Sequence, residues 1–189
     1  MSRQGKLFIV SGPSGVGKGT VIHRLKQLKP ELEYSISATT RSPRSGEENG
    51  VDYYFVSQQK FKSMRENDEF LEWAQVHNNY YGTPKKEVTK RLDVGKNVIL
   101  EIDIQGARQV KESFPAAVLI FLSPPSIEEL EKRLDKRNSE DKQAKLTRLK
   151  NARQELQEMD CYDYQVVNNK LEQTVQKVIE IIDNESIKE

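Results

Sequence analysis

The chain has 189 residues, which is enough for one domain with a full core of strands and helices. Lys and Arg number 30 against 29 Asp and Glu, and this net charge of +1 shows no basic excess that would favour a nucleic-acid partner. One cysteine excludes an internal disulfide and agrees with a reducing compartment. No apolar run is long enough for a membrane span or a secretory signal, so the expected location is the cytoplasm.

A glycine-rich loop follows the first predicted strand, residues 6–11, and precedes a predicted helix over residues 18–28. Its glycines allow consecutive backbone N–H groups to point at phosphate oxygens, and the helix adds its positive N-terminal end. Lys18 supplies a point charge for the β- and γ-phosphates. The pattern predicts a P-loop for a nucleoside triphosphate, formed by Gly12, Pro13, Ser14, Gly15, Val16, Gly17, Lys18, Gly19 and Thr20.

One position departs from the standard P-loop pattern. Gly19 stands where a Ser or Thr hydroxyl normally binds Mg²⁺, and Thr20 comes one residue later. A glycine-rich turn without a ligand is the alternative. That alternative requires the spacing, the lysine and the strand-to-helix context to coincide by chance.

Two arginines, Arg41 and Arg44, lie in a loop bounded by proline and glycine, between predicted strands at 34–40 and 52–56. Guanidinium groups match phosphate oxygens with two parallel hydrogen bonds. A solvated basic turn has the same spacing, so at this point both interpretations stay open.

The next segment is predicted as a helix over 57–66 and a strand over 70–76 that carries Glu72. Residues 78–82 then resemble a turn-rich tyrosine loop. Thr83 and Pro84 are typical of a helix start, and we expect that helix to reach Leu92.

A buried-type strand over 97–103 ends in acidic residues, where P-loop proteins present a carboxylate to metal or substrate. Further on, Arg133, Arg137 and Arg148 lie in a polar segment that is either a solvated helical hairpin or a mobile lid over a phosphate site. A last strand at 164–167 precedes an amphipathic helix. Strands that alternate with helices predict an α/β fold with a parallel, doubly wound sheet.

Several motifs in this order, at residues 11–18, 37–44, 46–47, 49–53, 70–74, 79–83 and 101–106, resemble the guanylate kinase family of P-loop nucleoside monophosphate kinases. The resemblance runs from about residue 5 to 182. It implies a P-loop kinase fold in a single domain, 1–189. The implied parts are a core at about 5–36, 89–125 and 159–183, a GMP-binding region at about 37–88 and a helical lid at about 126–158.

The resemblance also implies phosphoryl transfer from ATP to GMP (or dGMP), giving ADP and GDP, with Mg²⁺. The implied GMP-binding residues are Ser37, Arg41, Arg44, Tyr53, Glu72, Tyr81, Thr83 and Asp103. The implied catalytic residues are Lys18, Arg41, Arg133, Arg137 and Arg148, and Thr20 and Asp103 (through water) are the implied metal-binding residues. The chemistry agrees at Glu72, since a carboxylate accepts from guanine N1–H and the exocyclic amine, whereas adenine offers neither donor.

One further departure concerns the predicted lid. It reads Arg137-Asn138-Ser139-Glu140, where family members usually have Arg-Gly-Thr-Glu. We expect full activity with altered lid kinetics at most.

Three other functions remain as alternatives. A P-loop kinase for AMP or a phosphorylated sugar is the nearest, and Glu72 argues against it. A non-catalytic binding module would have a degraded P-loop, whereas this loop is intact. A GTPase would carry an Asn-Lys-x-Asp motif, which is absent. No nucleic-acid, membrane or obligatory protein partner is expected.

Overall fold

The protein is described from a computed structural model over residues 4–76, 78–135 and 142–188, with backbone alone at 135 and 142–148. The strands are β1 Leu7–Ser11, β2 Glu33–Tyr34, β3 Ala38–Thr39, β4 Tyr54–Phe55, β5 Phe70–Val76, β6 Asn79–Pro84, β7 Val98–Glu101, β8 Val118–Ser123 and β9 Tyr164–Val167. The α-helices are α1 Lys18–Leu28, α2 Gln58–Glu66, α3 Lys85–Asp93, α4 Ile104–Ser113, α5 Ile127–Asp135, α6 Lys142–Leu156 and α7 Leu171–Ile187. A short 3₁₀ helix spans Met159–Cys161.

A five-stranded sheet has the order β2-β7-β1-β8-β9. β2 pairs with β7 in parallel, and β8 pairs in parallel with both β1 and β9. All five residues of β1 are buried, as are the first five of β8. Such continuous apolar runs are typical of parallel strands covered by helices on both faces. The predicted α/β fold with a parallel central sheet is confirmed.

A second sheet has the order β4-β3-β6-β5 and is mostly antiparallel. Two expectations were wrong here. The strand predicted at 34–40 is two short strands in different sheets, β2 and β3. The predicted tyrosine loop at 78–82 is instead the start of β6, because its backbone pairs with β5 from Asn79 to Pro84. Thr83 and Pro84 thus belong to this strand, and α3 begins at Lys85.

The chain divides into two compact units. The first comprises Glu31–Leu100 and Gln105–Ala117 together with the start of the chain as far as Leu7. The second comprises Phe8–Pro30, Glu101–Ile104 and the chain from Val118 onward.

Each unit has an apolar cluster of its own. In the first, Phe61 and Met64 of α2 pack against the second sheet, where the Phe61 and Phe70 rings stack at 4.5 Å. In the second, α5 packs on α6 through Leu130, Leu134, Leu149 and Ala152. None of the helices in the described part of the chain combines the length and apolarity needed to cross a membrane.

Candidate functional site

The predicted P-loop lies between β1 and α1, in the second unit. Two of its glycines are required by close approach of other atoms. A Cβ at Gly12 would lie 2.2 Å from the Leu122 carbonyl oxygen, and one at Gly17 would lie 2.8 Å from Asn168 Nδ2. Both have positive φ, 143° and 98°, which L side chains rarely adopt. The backbone can therefore turn tightly directly after the end of β1.

Lys18 folds back over this loop. Its Nζ donates to the carbonyl oxygens of Gly12 at 2.5 Å and Pro13 at 3.3 Å. These bonds fix the ammonium group at the loop, where the sequence predicts a phosphate-binding charge.

A carboxylate also contacts the loop. The Ser14 N–H donates to Glu155 Oε2 at 3.3 Å. Burial raises the pKa of the Glu155 carboxyl, although Lys18 and the Ser14 amide act in the opposite direction. Glu155 thus accepts from one of the amides that a P-loop offers to phosphate. Sequence reasoning missed this residue, which is 141 positions from Ser14.

Gly19 has an acidic neighbour. A Cβ at this position would lie 3.6 and 3.7 Å from the two carboxylate oxygens of Glu101, an ordinary contact distance. Glu101 ends β7, and the N–H of the next residue, Ile102, donates to Val10 of β1 at 3.3 Å. A carboxylate therefore lies beside the position that the standard motif gives to Ser or Thr. The acidic end of strand 97–103 was the signal, although Glu101 was not among the predicted metal-binding residues.

The three arginines predicted for the lid differ in what the structure shows. Arg133 of α5 donates to the carbonyl oxygens of Val16 and Asn168, at 3.2 and 3.0 Å. Arg137 lies outside the described residues, as do Asn138 and Ser139, and the side chain of Arg148 is likewise not described.

The first unit gathers an arginine, two tyrosines and a glutamate. Arg41 forms two hydrogen bonds of 2.9 Å to Glu47, and its guanidinium carbon lies 5.4 Å from the centre of the Tyr53 ring. The Tyr81 ring meets the Tyr53 ring edge-on at 6.1 Å. Glu47 also accepts from the backbone N–H of Arg44, whose side chain is exposed.

Charge pairing perturbs both members of the Arg41–Glu47 pair. The hydrogen bonds from Arg41 lower the pKa of the Glu47 carboxyl. The pKa of Arg41 is raised, mainly by its hydrogen bond to Glu47 and to a smaller extent by Tyr81, although burial acts in the opposite direction. Glu47 was not predicted as a site residue, although it stands in one of the matching motifs. Its carboxylate holds Arg41 in an orientation suited to an anion.

A buried carboxylate lies on the second sheet. Glu72 is only 4% exposed, and Thr83 directly across the strand pair is fully buried. Thr83 Oγ1 donates to Glu72 Oε1 at 2.6 Å. Ser37, next to β3, belongs to the same unit, whereas Asp103 belongs to the other. A buried carboxylate with a fixed neighbour is suited to reading paired N–H donors.

A P-loop between a parallel strand and its helix defines the class of this molecule, an α/β protein of the P-loop kinase fold. The family model described as "Guanylate kinase" matches residues 4–185. A guanylate kinase from Oceanobacillus iheyensis is 50% identical over 188 residues, covering 100% of this chain and 91% of the relative. One from Caldanaerobacter subterraneus subsp. tengcongensis is 50% identical, covering 96% and 88%.

Among solved structures, the guanylate kinase of Anaplasma phagocytophilum superposes with a TM-score of 0.83 at 36% identity, covering 99% of this chain and 89% of that chain. The chain belongs to the guanylate kinase family.

Proposed function

We propose that this protein transfers the γ-phosphoryl group of ATP to GMP, giving ADP and GDP, in purine nucleotide metabolism. The observation that carries the proposal is the buried Glu72, held by Thr83 at 2.6 Å, in a chain with an intact P-loop. Family membership over nearly the whole chain supports the same reaction.

Guanine recognition is assigned to Ser37, Glu72, Thr83 and Asp103. The Glu72 carboxylate accepts from guanine N1–H and the 2-amino group, two donors on one edge of the base. Adenine has neither N1–H nor a 2-amino group, so it would leave this buried carboxylate without the two donors that guanine supplies, and sites of that kind discriminate by about 10⁴-fold.

The GMP phosphate is assigned to Arg41, Arg44, Tyr53 and Tyr81. The support is the clustering of Arg41 with both tyrosines, and the geometry of the Glu47 carboxylate on Arg41. Glu47 fixes the guanidinium through one N–H of each Nη group, and because a guanidinium has five N–H donors, others remain for a phosphate oxygen.

The chemical step forms a bond between a GMP phosphate oxygen and the γ-phosphorus, while the bond from that phosphorus to the β–γ bridging oxygen breaks and ADP leaves. The nucleophile is already an anion, so no side chain must remove a proton. Positioning and charge neutralisation carry the catalysis, and they are assigned to Lys18, Arg41, Arg133, Arg137 and Arg148.

Mg²⁺ would neutralise charge on the ATP phosphates. Two oxygen donors that suit this ion lie at the start of α1, namely Thr20 in its first turn and the Glu101 carboxylate next to Gly19. Asp103 remains the further ligand, through water, that the sequence predicts. No closed cage of three or more His, Cys, Asp or Glu side chains occurs in the described ranges. An open site fits an ion that retains several waters and binds mainly through substrate phosphates.

The reaction needs no further protein, and we place it in the cytoplasm, where ATP and GMP occur. The one cysteine of the chain agrees with a reducing compartment.

An acceptor panel with ATP and Mg²⁺ tests the proposal: GMP, dGMP, IMP and AMP, with ADP release as the readout. GMP and dGMP should be used well. IMP lacks the 2-amino group, so the loss of one charge-assisted hydrogen bond should lower kcat/KM about 10- to 100-fold. AMP should be poorest. Equal use of AMP and GMP would indicate a kinase with another acceptor, and no ADP release with any acceptor would favour the binding module.

A further inference from the structure

The side-chain amide of Gln109, in α4, holds the backbone of one residue in β5. Its Oε1 accepts from the Trp73 N–H at 3.1 Å, and its Nε2 donates to the Trp73 carbonyl oxygen at 2.8 Å. One amide thus binds both polar backbone groups of Trp73. Trp73 directly follows Glu72, to which guanine recognition is assigned.

This contact lies at the outer edge of the second sheet. In the described part of the chain β5 is the last strand of the order β4-β3-β6-β5, with β6 as its neighbour. Backbone groups that point outward from an edge strand need another partner. The Gln109 amide offers a donor and an acceptor side by side, as a further strand would, and it does so at Trp73.

The pairing of β5 is irregular directly before Glu72. Its register with β6 shifts between Phe70 and Glu72, as at a β-bulge. Trp73 packs against the apolar cluster around Phe61. Because side chains alternate along a strand, Glu72 lies on the opposite face, with Thr83 across from it. A slip of β5 by one residue would turn Glu72 toward the apolar cluster and away from the base.

The contact restrains the main chain at Glu72 itself. The N–H that Gln109 binds belongs to the peptide between Glu72 and Trp73, and since a peptide is planar, the bond fixes the orientation of this peptide. The Trp73 ring is restrained as well, because the guanidinium carbon of Arg65 lies 4.9 Å from its centre. Trp73 is therefore held by its ring on one face of the sheet and by its backbone at the edge.

We propose that Gln109 is a positioning residue for guanine specificity, whose amide fixes the β5 backbone so that the Glu72 carboxylate is directed at the two N–H donors of guanine. Gln109 acts through Trp73 and does not touch the nucleotide. The identity of the base rests on the proposed function.

The first test uses the full-length Gln109→Met variant, in which the side chain keeps its length and loses both hydrogen bonds. Without them the aligned backbone is one of several states, and the dissociation constant rises as its population falls. In calorimetry we expect GMP to bind about 10-fold more weakly, and IMP, which offers Glu72 one donor fewer, about threefold more weakly. ADP with Mg²⁺ should bind within about twofold of the wild type, whereas a general loss of structure would weaken both nucleotides.

A double variant with Glu72→Gln separates positioning from other effects. In that background Gln109→Met should weaken GMP binding by less than about threefold, because the carboxylate that it positions is absent. Glu112→Ala is the matched control, since Glu112 is an exposed residue of the same helix, and it should bind GMP like the wild type. Gln109→Glu keeps the acceptor and loses the donor; it replaces Gln109→Met if that variant does not fold, and it should show the same selective loss.

A measurement without ligand reports the contact directly. Trp73 is the only tryptophan of the chain, so tryptophan labelled with the heavy nitrogen isotope gives one backbone amide signal in NMR. Exchange of this amide hydrogen should be at least about 10-fold faster in Gln109→Met than in the wild type.

Three results would overturn the proposal. They are wild-type GMP affinity in Gln109→Met, equal losses for GMP and ADP, and the full loss of GMP affinity in the Glu72→Gln background. If the wild type binds AMP as tightly as GMP, the proposed function fails instead. The Trp73 exchange rate then still judges the contact, and an unchanged rate in Gln109→Met would show that Gln109 does not hold β5.

Discussion

Replacing Glu72 by Gln tests guanine recognition with a change of one charge and almost no volume. Glu72 is 4% exposed, and its carboxylate accepts a hydrogen bond from Thr83 Oγ1 at 2.6 Å. An amide can accept from one guanine donor, but its own NH₂ then faces the other. The variant should use GMP poorly while it binds ATP normally.

The size of the effect follows from these contacts. One charge-assisted hydrogen bond contributes about 1.5–3 kcal/mol, and a buried donor left unsatisfied costs about 1–3 kcal/mol. A combined loss of about 3 kcal/mol corresponds to a decrease of about 10²-fold in kcat/KM for GMP. AMP should not lose activity, because adenine has neither N1–H nor a 2-amino group to donate to the carboxylate, and the amide can donate to adenine N1.

A coupled ADP-release assay with GMP, AMP and varied ATP measures this selectivity. Glu69→Gln is the matched control, since Glu69 is exposed and lies just before β5, and it should match the wild type with every substrate. The KM for ATP in Glu72→Gln should remain within about twofold. An equal loss for GMP and AMP, or an unchanged GMP preference, would refute guanine reading by Glu72.

Further predictions concern stability and its pH dependence. Gly19→Ala should raise the unfolding free energy by about 0.5–1 kcal/mol, since the position is helical and has room for a methyl group, whereas Gly17→Ala should lower it; urea denaturation of both measures the contrast. Glu47→Gln should weaken GMP binding in calorimetry, because Arg41 loses the carboxylate that orients it. The pKa of Glu47 is lower in the folded state, so its ionised form stabilises the fold at neutral pH. In urea unfolding, the greater stability of the wild type over this variant should therefore disappear as the pH falls below about 4.5. Burial raises the pKa of Tyr162 to about 12, so its neutral form stabilises the fold below pH 10 or so, and wild type should lose stability relative to Tyr162→Phe between about pH 10 and 12. If the unfolding free energy of a variant and of the wild type changed equally with pH, the corresponding pKa argument would be wrong.

Features encoded in contiguous residues were predictable. The P-loop could be placed between β1 and α1 because its chemistry depends on local backbone freedom and on one lysine at a fixed spacing. The parallel sheet followed in the same way from apolar strands that alternate with amphipathic helices. The hairpin of β5 and β6 was missed, because the polar and tyrosine-rich residues of β6 resemble a loop until another strand supplies their hydrogen bonds.

The amino-acid sequence by itself determined which motifs are present and therefore the family and the expected chemistry. Only the tertiary structure decided which side chains meet. Glu155 reaches Ser14 across 141 positions, and Asn168 reaches Val16 across 152. Glu101 lies beside Gly19 because β7 and β1 place them together. The physical reason is that a hydrogen bond between residues far apart in the sequence depends on how helices and strands pack. No local sequence pattern shows which of these residues come close in space.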